Sequence, residues 1–498
     1  MSAACQEGPG DFMADPQTLI ADYGHYIGGQ WVDADAGRYD VVNPATEQVV
    51  ASAPDAGVDL VRSAVAAART AFDSGVWSQA DPAERARCIQ QLSTALLARG
   101  DEIFALAQAE WGCTANERLI HVEGPAFMVG HAAELALEPA EAPLDAWGAA
   151  GTTLLRYEPL GVVSILTPWN FPHTLNAMKI GAALAAGNTV VLKPSPLTPL
   201  AGLALARLVH EETDIPPGVV NVVTPTGVEA SVALTQDGRV DMVSFTGSSA
   251  VGRAVMATAA QSMTRVLLEC GGKSAAILTD DVDITDELLE RLLVEGCTLH
   301  AGQACILNSR LLLPDSLHDD VVSRLAELAR NVVIGDPTDA AVTMGPLISA
   351  EHLDRVEGFV TRAESDGATV VTGGRRPKDL STGFYFEPTI LTGATPDSLI
   401  AQEEVFGPVL TVLRYRDDDE AVAIANNSQY GLGGAVWASD VDRAVAIARR
   451  IRTGQVSING TIPGDAPFGG FGQSGIGREG GVLGLRSYME PKAIGVPA

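Results

Sequence analysis

Residues 161–200 read GVVSILTPWNFPHTLNAMKIGAALAAGNTVVLKPSPLTPL. The apolar run 161–166 is long enough for a buried strand and too short for a helix. Two prolines and an asparagine interrupt it, and apolar residues then recur at helical spacing over 174–186. Gly187-Asn188 ends that helix, 189–192 repeats the buried-strand pattern, and a second helix is expected over 199–212. The alternation continues as strand 219–223, helix 228–234, strand 242–245, helix 249–260 and strand 265–268. Five strands joined by four helices imply an α/β fold in three layers, a doubly wound parallel sheet with crossover helices on both faces. Such sheets bind ligands at the carboxyl ends of their strands.

Upstream, helical spacing over 59–72 and 84–110 forms a helical preface. Residues 1–24 lack clear periodicity and read as a loosely held arm before a fold that starts near His25. Downstream, strand 275–278, helix 286–299, strand 310–313 and helix 318–332 read as a second α/β series. A helix over 440–452, a Gly-rich segment over 464–484 and a short apolar tail follow.

The 498 residues carry 33 Lys and Arg against 62 Asp and Glu, a formal charge of −29. At about 100–200 residues per domain the length suggests roughly three folding units. Nucleic acid and acidic lipid are poor partners, because binding them needs clustered Lys and Arg to displace counterions. With 46% hydrophobic residues the chain is too apolar for a disordered acidic tail. No Lys or Arg precedes Arg38, so a secretory or transit signal is not expected and the location expected is cytoplasmic. Residues 159–178 lack charged side chains, but Pro159, Pro168 and Pro172 break them, and no membrane span is expected. Cys5, Cys88, Cys113, Cys270, Cys297 and Cys305 have neither the spacing of a disulfide framework nor that of a zinc site, and no metal is expected.

The G-x-G-x-x-G pattern occurs twice, at 470–475 and 475–480. A dinucleotide fingerprint has meaning only as a strand-to-helix turn inside a βαβ unit, and too little chain follows Gly480 for a helix and a second strand. A loop packed on a neighbour accounts for it better. The phosphate site falls instead at Phe245-Thr246-Gly247-Ser248, between a strand and its helix. There Gly247 allows close approach, Ser248 offers a hydroxyl, and the helix N-terminus offers unpaired N–H groups. In isolation this would be a simple Ser N-cap. Lys193, with Pro194 and Ser195 at the end of the second strand, is placed to reach the hydroxyls of an adenine-side ribose.

At this point the sequence resembles the aldehyde dehydrogenase superfamily, from about His25 to Lys492. The motifs that carry the resemblance run in order: Thr167-Pro168-Trp169-Asn170-Phe171-Pro172, Lys193-Pro194-Ser195, Phe245-Thr246-Gly247-Ser248, Glu269-Cys270-Gly271-Gly272-Lys273 and Gly302-Gln303-Ala304-Cys305. Glu404-Val405-Phe406-Gly407-Pro408, Pro467-Phe468-Gly469-Gly470 and Ser474 to Glu479 complete the set. The resemblance implies that Cys305 is the nucleophile, adding to an aldehyde to give a thiohemiacetal. Hydride loss then leaves a thioester that water hydrolyses. It implies Glu269 as general base, Asn170 with the Cys305 N–H as oxyanion donors, and Lys179 and Glu479 as proton-relay groups. Cofactor contacts are implied at Thr167, Pro168, Trp169, Asn170, Lys193, Ser195, Pro196, Phe245, Thr246, Gly247, Ser248, Val251 and Gly271, with Glu404 and Phe406 gripping the nicotinamide-side ribose.

Pro196 stands where many NAD-preferring relatives carry an acid that accepts the 2′-hydroxyl, so NAD+ is the expected cofactor and NADP+ stays open. Cys270 replaces a usual Leu and reads as a buried small hydrophobe, and His300 replaces a frequent Asn without an assignable role. The implied substrate tunnel, Phe171, Thr174, Leu175, Met178, Ile306 and Phe468, is mostly apolar. A neutral aliphatic or aromatic aldehyde is expected over a semialdehyde acid, and two rings are too few to cage a quaternary ammonium. A CoA-acylating enzyme is the alternative that Glu269 argues against. A catalytically silent binding or structural relative is the one that Cys305, Glu269 and Asn170 argue against. The resemblance divides the chain into a cofactor domain (1–141 with 160–271), a catalytic domain (272–471) and a small β oligomerisation element (142–159 with 472–498). In that element a hairpin over 143–158 and the tail join subunits into a homodimer or homotetramer.

Overall fold

The computed structural model describes residues 23–144 and 151–497. Its first elements are short antiparallel pairs, β1 (His25–Ile27) with β2 (Gln30–Val32) and β3 (Arg38–Val42) with β4 (Val49–Pro54). At three residues each, β1 and β2 are too brief to show a period of two, which is why the sequence pattern did not separate them from loop. The expected arm falls almost wholly on residues 1–22, outside the described ones. The helical preface is formed by helices Val58–Asp73, Pro82–Ala98, Gly100–Trp111 and Gly124–Leu135. Asp81 starts the second of these by accepting from the Ala83 N–H, with Pro82 in the first turn.

After β5 (Glu141–Leu144) and β6 (Thr152–Pro159) comes the alternation expected from sequence. It runs β7 (Val162–Leu166), helix Pro172–Ala185, β8 (Thr189–Lys193), helix Pro199–Glu212, β9 (Val220–Val222), helix Val228–Gln236, β10 (Met242–Thr246), helix Ser249–Ala259 and β11 (Arg265–Glu269). The strands pair in parallel in the order β11-β10-β7-β8-β9. β7 therefore lies at the switch point, with β8 on one side and β10 on the other. The two faces bury different helices. Val163, Ile165, Val190 and Leu192 pack with the helices Pro82–Ala98, Gly124–Leu135, Pro172–Ala185 and Pro199–Glu212. Val162, Leu166, Val191, Val243 and Phe245 pack with Val58–Asp73, Val228–Gln236 and Ser249–Ala259.

The second sheet contains β12 (Ala275–Leu278), β13 (Arg310–Pro314), β14 (Thr369–Thr372), β15 (Thr389–Thr392), β16 (Val409–Tyr415), β17 (Gly434–Trp437) and β18 (Ser457–Ile458). They are ordered β14-β15-β16-β13-β12-β17-β18 and parallel except at β14. The helix expected over 286–299 stops at Leu293, and a wide π-type turn, Val294–Thr298, and a kinked turn, Leu299–Gly302, replace its last part. The helix expected over 440–452 is shorter, Val441–Ala448. Of the Gly-rich segment, β19 (Gly475–Ile476) runs antiparallel to the end of β11, so it is an edge strand of the first sheet and not a phosphate loop. The tail forms β20 (Met489–Val496), which pairs with β6, itself paired with β5. The turn of the expected hairpin, 145–150, lies outside the described residues. Among the described residues no helix is long and apolar enough to cross a membrane.

One buried carboxylate ties the preface to the sheet. Glu110, fully enclosed at the end of helix Gly100–Trp111, accepts the N–H groups of Leu200 (2.5 Å) and Ala201 (3.2 Å) in the first turn of helix Pro199–Glu212. That helix follows directly on the Lys193-Pro194-Ser195 loop. Glu110→Ala leaves two buried donors unpaired, so it should lower stability by about 2–4 kcal/mol in denaturant unfolding. An unchanged midpoint would show that the helix start is satisfied otherwise.

Candidate active site

The residues singled out from sequence converge on the carboxyl ends of the central strands. Thr167-Pro168-Trp169-Asn170 follows β7, Lys193 ends β8, Thr246 ends β10 and Glu269 ends β11. Ser248 caps helix Ser249–Ala259 by accepting the Val251 N–H at 3.3 Å. Beside it the Thr246 hydroxyl is buried without a partner. Burial pushes the Lys193 ammonium down to about 8. Ser195 turns its loop by accepting the Leu197 N–H at 3.2 Å, and Pro196 is half-buried between them. Val251 is half-exposed on the helix surface.

Glu269 is 3% exposed, and neither carboxyl oxygen has a partner within the protein. Burial first, and the nearby Glu479 carboxylate second, push it up to about 9, with Lys179 and Arg478 pulling the other way. Lys179, buried on helix Pro172–Ala185, donates to Glu479 Oε1 at 2.6 Å and to Ser244 Oγ at 3.1 Å. Ser244 in turn shares a 2.9 Å hydrogen bond with the Tyr488 hydroxyl. Glu479 is held by two backbone bonds to Phe468, 2.6 and 2.7 Å, which tie the two segments together.

Past Glu269 the chain turns through Gly271 and Gly272. A Cβ on Gly271 would fall 2.1 Å from Glu404 Oε2, and one on Gly272 would fall 2.5 Å from the Cys305 carbonyl oxygen. Glu404 Oε1 accepts the Gly272 N–H at 2.9 Å. The Glu269, Cys305 and Glu404 segments are thus in van der Waals contact through two glycines. Burial pushes Glu404 up to about 7, against the Gly272 N–H and the charges of Lys273 and Arg355. Phe406 has a left-handed backbone, φ 61°. The segment is held from helix Ala350–Ser365, where Arg355 donates to the carbonyls of Glu404 (2.8 Å) and Val405, and His352 bonds the Phe406 carbonyl (2.6 Å). Trp169 packs edge-on against Phe406 at 5.3 Å between ring centroids. His352, Arg355, Ser244 and Tyr488 were not picked out from the sequence, since nothing local marks a residue whose role is to hold another.

Cys305 is half-buried, whereas Cys88, Cys113, Cys270 and Cys297 are buried. Burial, then the Glu404 and Glu269 carboxylates, pushes the Cys305 thiol well above its usual range. Asn170, 3% exposed, donates through its side-chain amide to the Gln303 carbonyl at 2.9 Å, which leaves the second amide hydrogen for another acceptor.

Of the expected tunnel residues, Phe171, Leu175, Met178 and Phe468 are half-buried and Ile306 is 47% exposed. Thr174 is buried and spends its hydroxyl on the Ile120 carbonyl at 2.6 Å, so it packs instead of offering a polar contact. The expected pair of rings is incomplete. Phe171 lies 4.0 Å from the His300 ring and 6.4 Å from His121, and Trp111 lies 4.6 Å from His300. Trp111 and His121 come from the preface, more than forty residues before Phe171, beyond the reach of any local pattern.

A model of the aldehyde dehydrogenase family matches residues 31–494. Betaine aldehyde dehydrogenase of Bacillus subtilis (strain 168) is 36% identical over 474 residues, 94% of this chain and 96% of its own. Geranial dehydrogenase of Castellaniella defragrans is 39% identical over 482 residues, 96% of this chain and 99% of its own. The crystal structure of Staphylococcus aureus betaine aldehyde dehydrogenase in complex with NAD+ superposes with a TM-score of 0.93 at 34% identity, covering 96% of each chain.

Iodoacetamide should alkylate Cys305 before Cys88, Cys113, Cys270 and Cys297, as peptide mapping would show. Because only the thiolate reacts and this thiol is raised, the rate should climb about tenfold per pH unit from 7 to 9 without levelling. A plateau below pH 8 would contradict the electrostatics described.

Proposed function

The chain belongs to the aldehyde dehydrogenase family, and from that premise we propose that it oxidises an aldehyde to the carboxylic acid with NAD+, through a covalent intermediate on Cys305. The observation that carries this reading is the contact of the Glu269 strand end with the Cys305 loop at Gly272. That contact supports a reading in which the Cys305 thiol, the unpartnered Glu269 carboxyl and the free amide hydrogen of Asn170 serve one reaction space.

The Cys305 sulfur adds to the carbonyl carbon as its proton passes to the ionised form of Glu269, which hands it on through Lys179 and Glu479 and so is free again for the later step. The oxyanion that forms is held by the Asn170 side chain and the Cys305 N–H, in a pocket with little competing water. When bound, NAD+ supplies the acceptor for the hydride that leaves the former aldehyde carbon. A water oxygen then adds to the thioester carbon, its proton passing to Glu269. The C–S bond breaks to release the acid and the thiolate. Lys179 and Glu479 carry the proton onward, being joined at 2.6 Å beside Glu269. For the cofactor, Lys193, Ser195 and Pro196 would meet the adenine-side ribose. Phe245, Thr246, Gly247, Ser248 and Val251 would meet the phosphates, and Thr167, Pro168, Trp169, Gly271, Glu404 and Phe406 the nicotinamide half. The unpartnered Thr246 hydroxyl and the Glu404 carboxylate fit such a guest. NAD+ is favoured over NADP+ by the likeness to solved structures in complex with NAD+. The domain boundaries 1–141 with 160–271, and 272–471, go with this reading. So does a homo-oligomer built on the sheet of β5, β6 and β20.

The apolar character of Phe171, Leu175, Met178, Ile306 and Phe468 supports a neutral aliphatic or aromatic aldehyde, as does the likeness to a geranial dehydrogenase. A second reading, a quaternary-ammonium or amino aldehyde, is favoured by the Trp111, His121 and His300 rings that join Phe171 and by the likeness to betaine aldehyde dehydrogenases. A panel of aldehydes ranked by kcat/KM separates the two readings.

Free acid should form without coenzyme A, and Cys305→Ala should lower kcat/KM more than about a thousandfold. Product that appears only as a CoA thioester would overturn the hydrolytic reading. A carboxyl raised to about 9 is mostly protonated at neutral pH, so its base form, and a deacylation-limited rate, should grow with pH up to that value. Glu479→Gln removes a charge that raises Glu269 and leaves the Lys179 charge that lowers it. The rising limb should then move to lower pH in a pH–rate profile, and a shift to higher pH would refute the assignment.

A further inference from the structure

The turn before the nucleophile is strained where no glycine relieves it. His300 (φ 52°, ψ 34°) and Ala301 (φ 50°, ψ 39°) both adopt left-handed backbone, a conformation that costs about 1–2 kcal/mol per residue outside glycine. Gly302 follows at φ +76°, so close to Gly407 that a Cβ would lie 2.0 Å from its carbonyl. Such a turn persists only where its surroundings over-determine it.

The restraint comes from 183 residues away. Glu117 is buried, and its two carboxyl oxygens accept three N–H donors. Oε1 takes the His300 backbone N–H at 3.1 Å and the His300 Nδ1–H at 2.5 Å, and Oε2 takes the Thr114 N–H at 2.7 Å. Burial works to raise this carboxyl, yet His300 and the N–H donors outweigh it and hold Glu117 below its usual value, ionised. The His300 ring is further clamped by Phe171 at 4.0 Å, Trp111 at 4.6 Å and His121 at 5.3 Å.

From the turn the restraint passes on. The fully buried Gln303 side chain donates to the carbonyls of His300 (2.9 Å) and Pro346 (3.3 Å) and accepts the Ile348 N–H (2.9 Å). With its side chain fixed at three points, its backbone carbonyl is fixed too, and that carbonyl takes one hydrogen of the Asn170 amide.

We propose that Glu117 is a positioning residue of the oxyanion pocket: its grip on His300 holds the left-handed turn, the turn sets Gln303, and the Gln303 carbonyl aims the free amide hydrogen of Asn170. His300 acts as the handle. The proposal rests on the reading of Asn170 as an oxyanion donor.

Glutamine at position 117 has one acceptor oxygen and cannot serve both His300 and Thr114. Glu117→Gln should therefore lower kcat by about ten- to a hundredfold, the scale of a misplaced catalytic group, while KM for aldehyde and Kd for NAD+ stay within about threefold. His300→Val, whose β-branched side chain opposes left-handed backbone, should do the same. His300→Asn, which tolerates that backbone, should lose at least about threefold less kcat than His300→Val. Retained kcat in both Glu117→Gln and His300→Val would overturn the proposal, as would losses spread equally over kcat, KM and NAD+ binding. Asn170→Ala separates it from the reading beneath. If that variant loses kcat and Glu117→Gln does not, the positioning role fails alone. If Asn170→Ala is as active as the wild type, the oxyanion assignment itself fails.

Discussion

The buried ion pair of Lys179 with Glu479, 2.6 Å apart and 0% and 3% exposed, is the interaction on which the rest of the site depends. It joins a helix of the first sheet to a segment three hundred residues later in the chain. Removing one partner of such a pair strands a charge in the interior, at a cost of about 3–5 kcal/mol. Around it the other ionisable groups are displaced by desolvation: Glu269 and Glu404 upward, Lys193 downward, and the Cys305 thiol upward. The pair is the compensated charge in a place that otherwise favours neutral forms. It sets the field in which Glu269 ionises, because one member raises that carboxyl and the other lowers it.

The sheet is what allows these groups to meet. Parallel strands end together, so residues that follow β7, β8, β10 and β11 share one rim although more than a hundred positions separate the first from the last. The second sheet presents Cys305 and Glu404 to that rim, and the contact is close because Gly271 and Gly272 have no side chains to keep the segments apart.

Strand ends and glycine-containing turns leave local marks, which is why Lys193 and Ser248 could be singled out from the residues themselves, whereas Asn170, Glu269 and Cys305 came from the resemblance of their motifs to a family. The alternation of buried strands and helices was legible for the same reason, being a pattern of a few residues repeated. What was not legible acts at a distance. Tyr488 reaches Ser244 across 244 positions, and Glu117 reaches His300 across 183. The helix expected to continue to 299 gives way after Leu293 because the chain must open into the strained turn ahead of Cys305. That requirement comes from the site and not from the local residues, whose spacing alone favours continuation. Trp111 and His121 join Phe171 and His300 in the same way, as rings brought in from a helical region that reads as ordinary packing.

The short strand β19 covers the outer edge of β11 beside Glu269, and it is made some two hundred residues after that strand. At synthesis rates of about 5–20 residues per second, an emerging chain waits roughly 10–40 s with this edge bare. Its main-chain groups are then open to pairing with any neighbouring strand. Glu479, the buried partner of Lys179, arrives with the same late segment. A partly made chain therefore holds Glu269 and Cys305 without the carboxylate that compensates the buried Lys179. The Lys179–Glu479 pair and the cover on the β11 edge are gained in one step, and a chain truncated before residue 475 forfeits both.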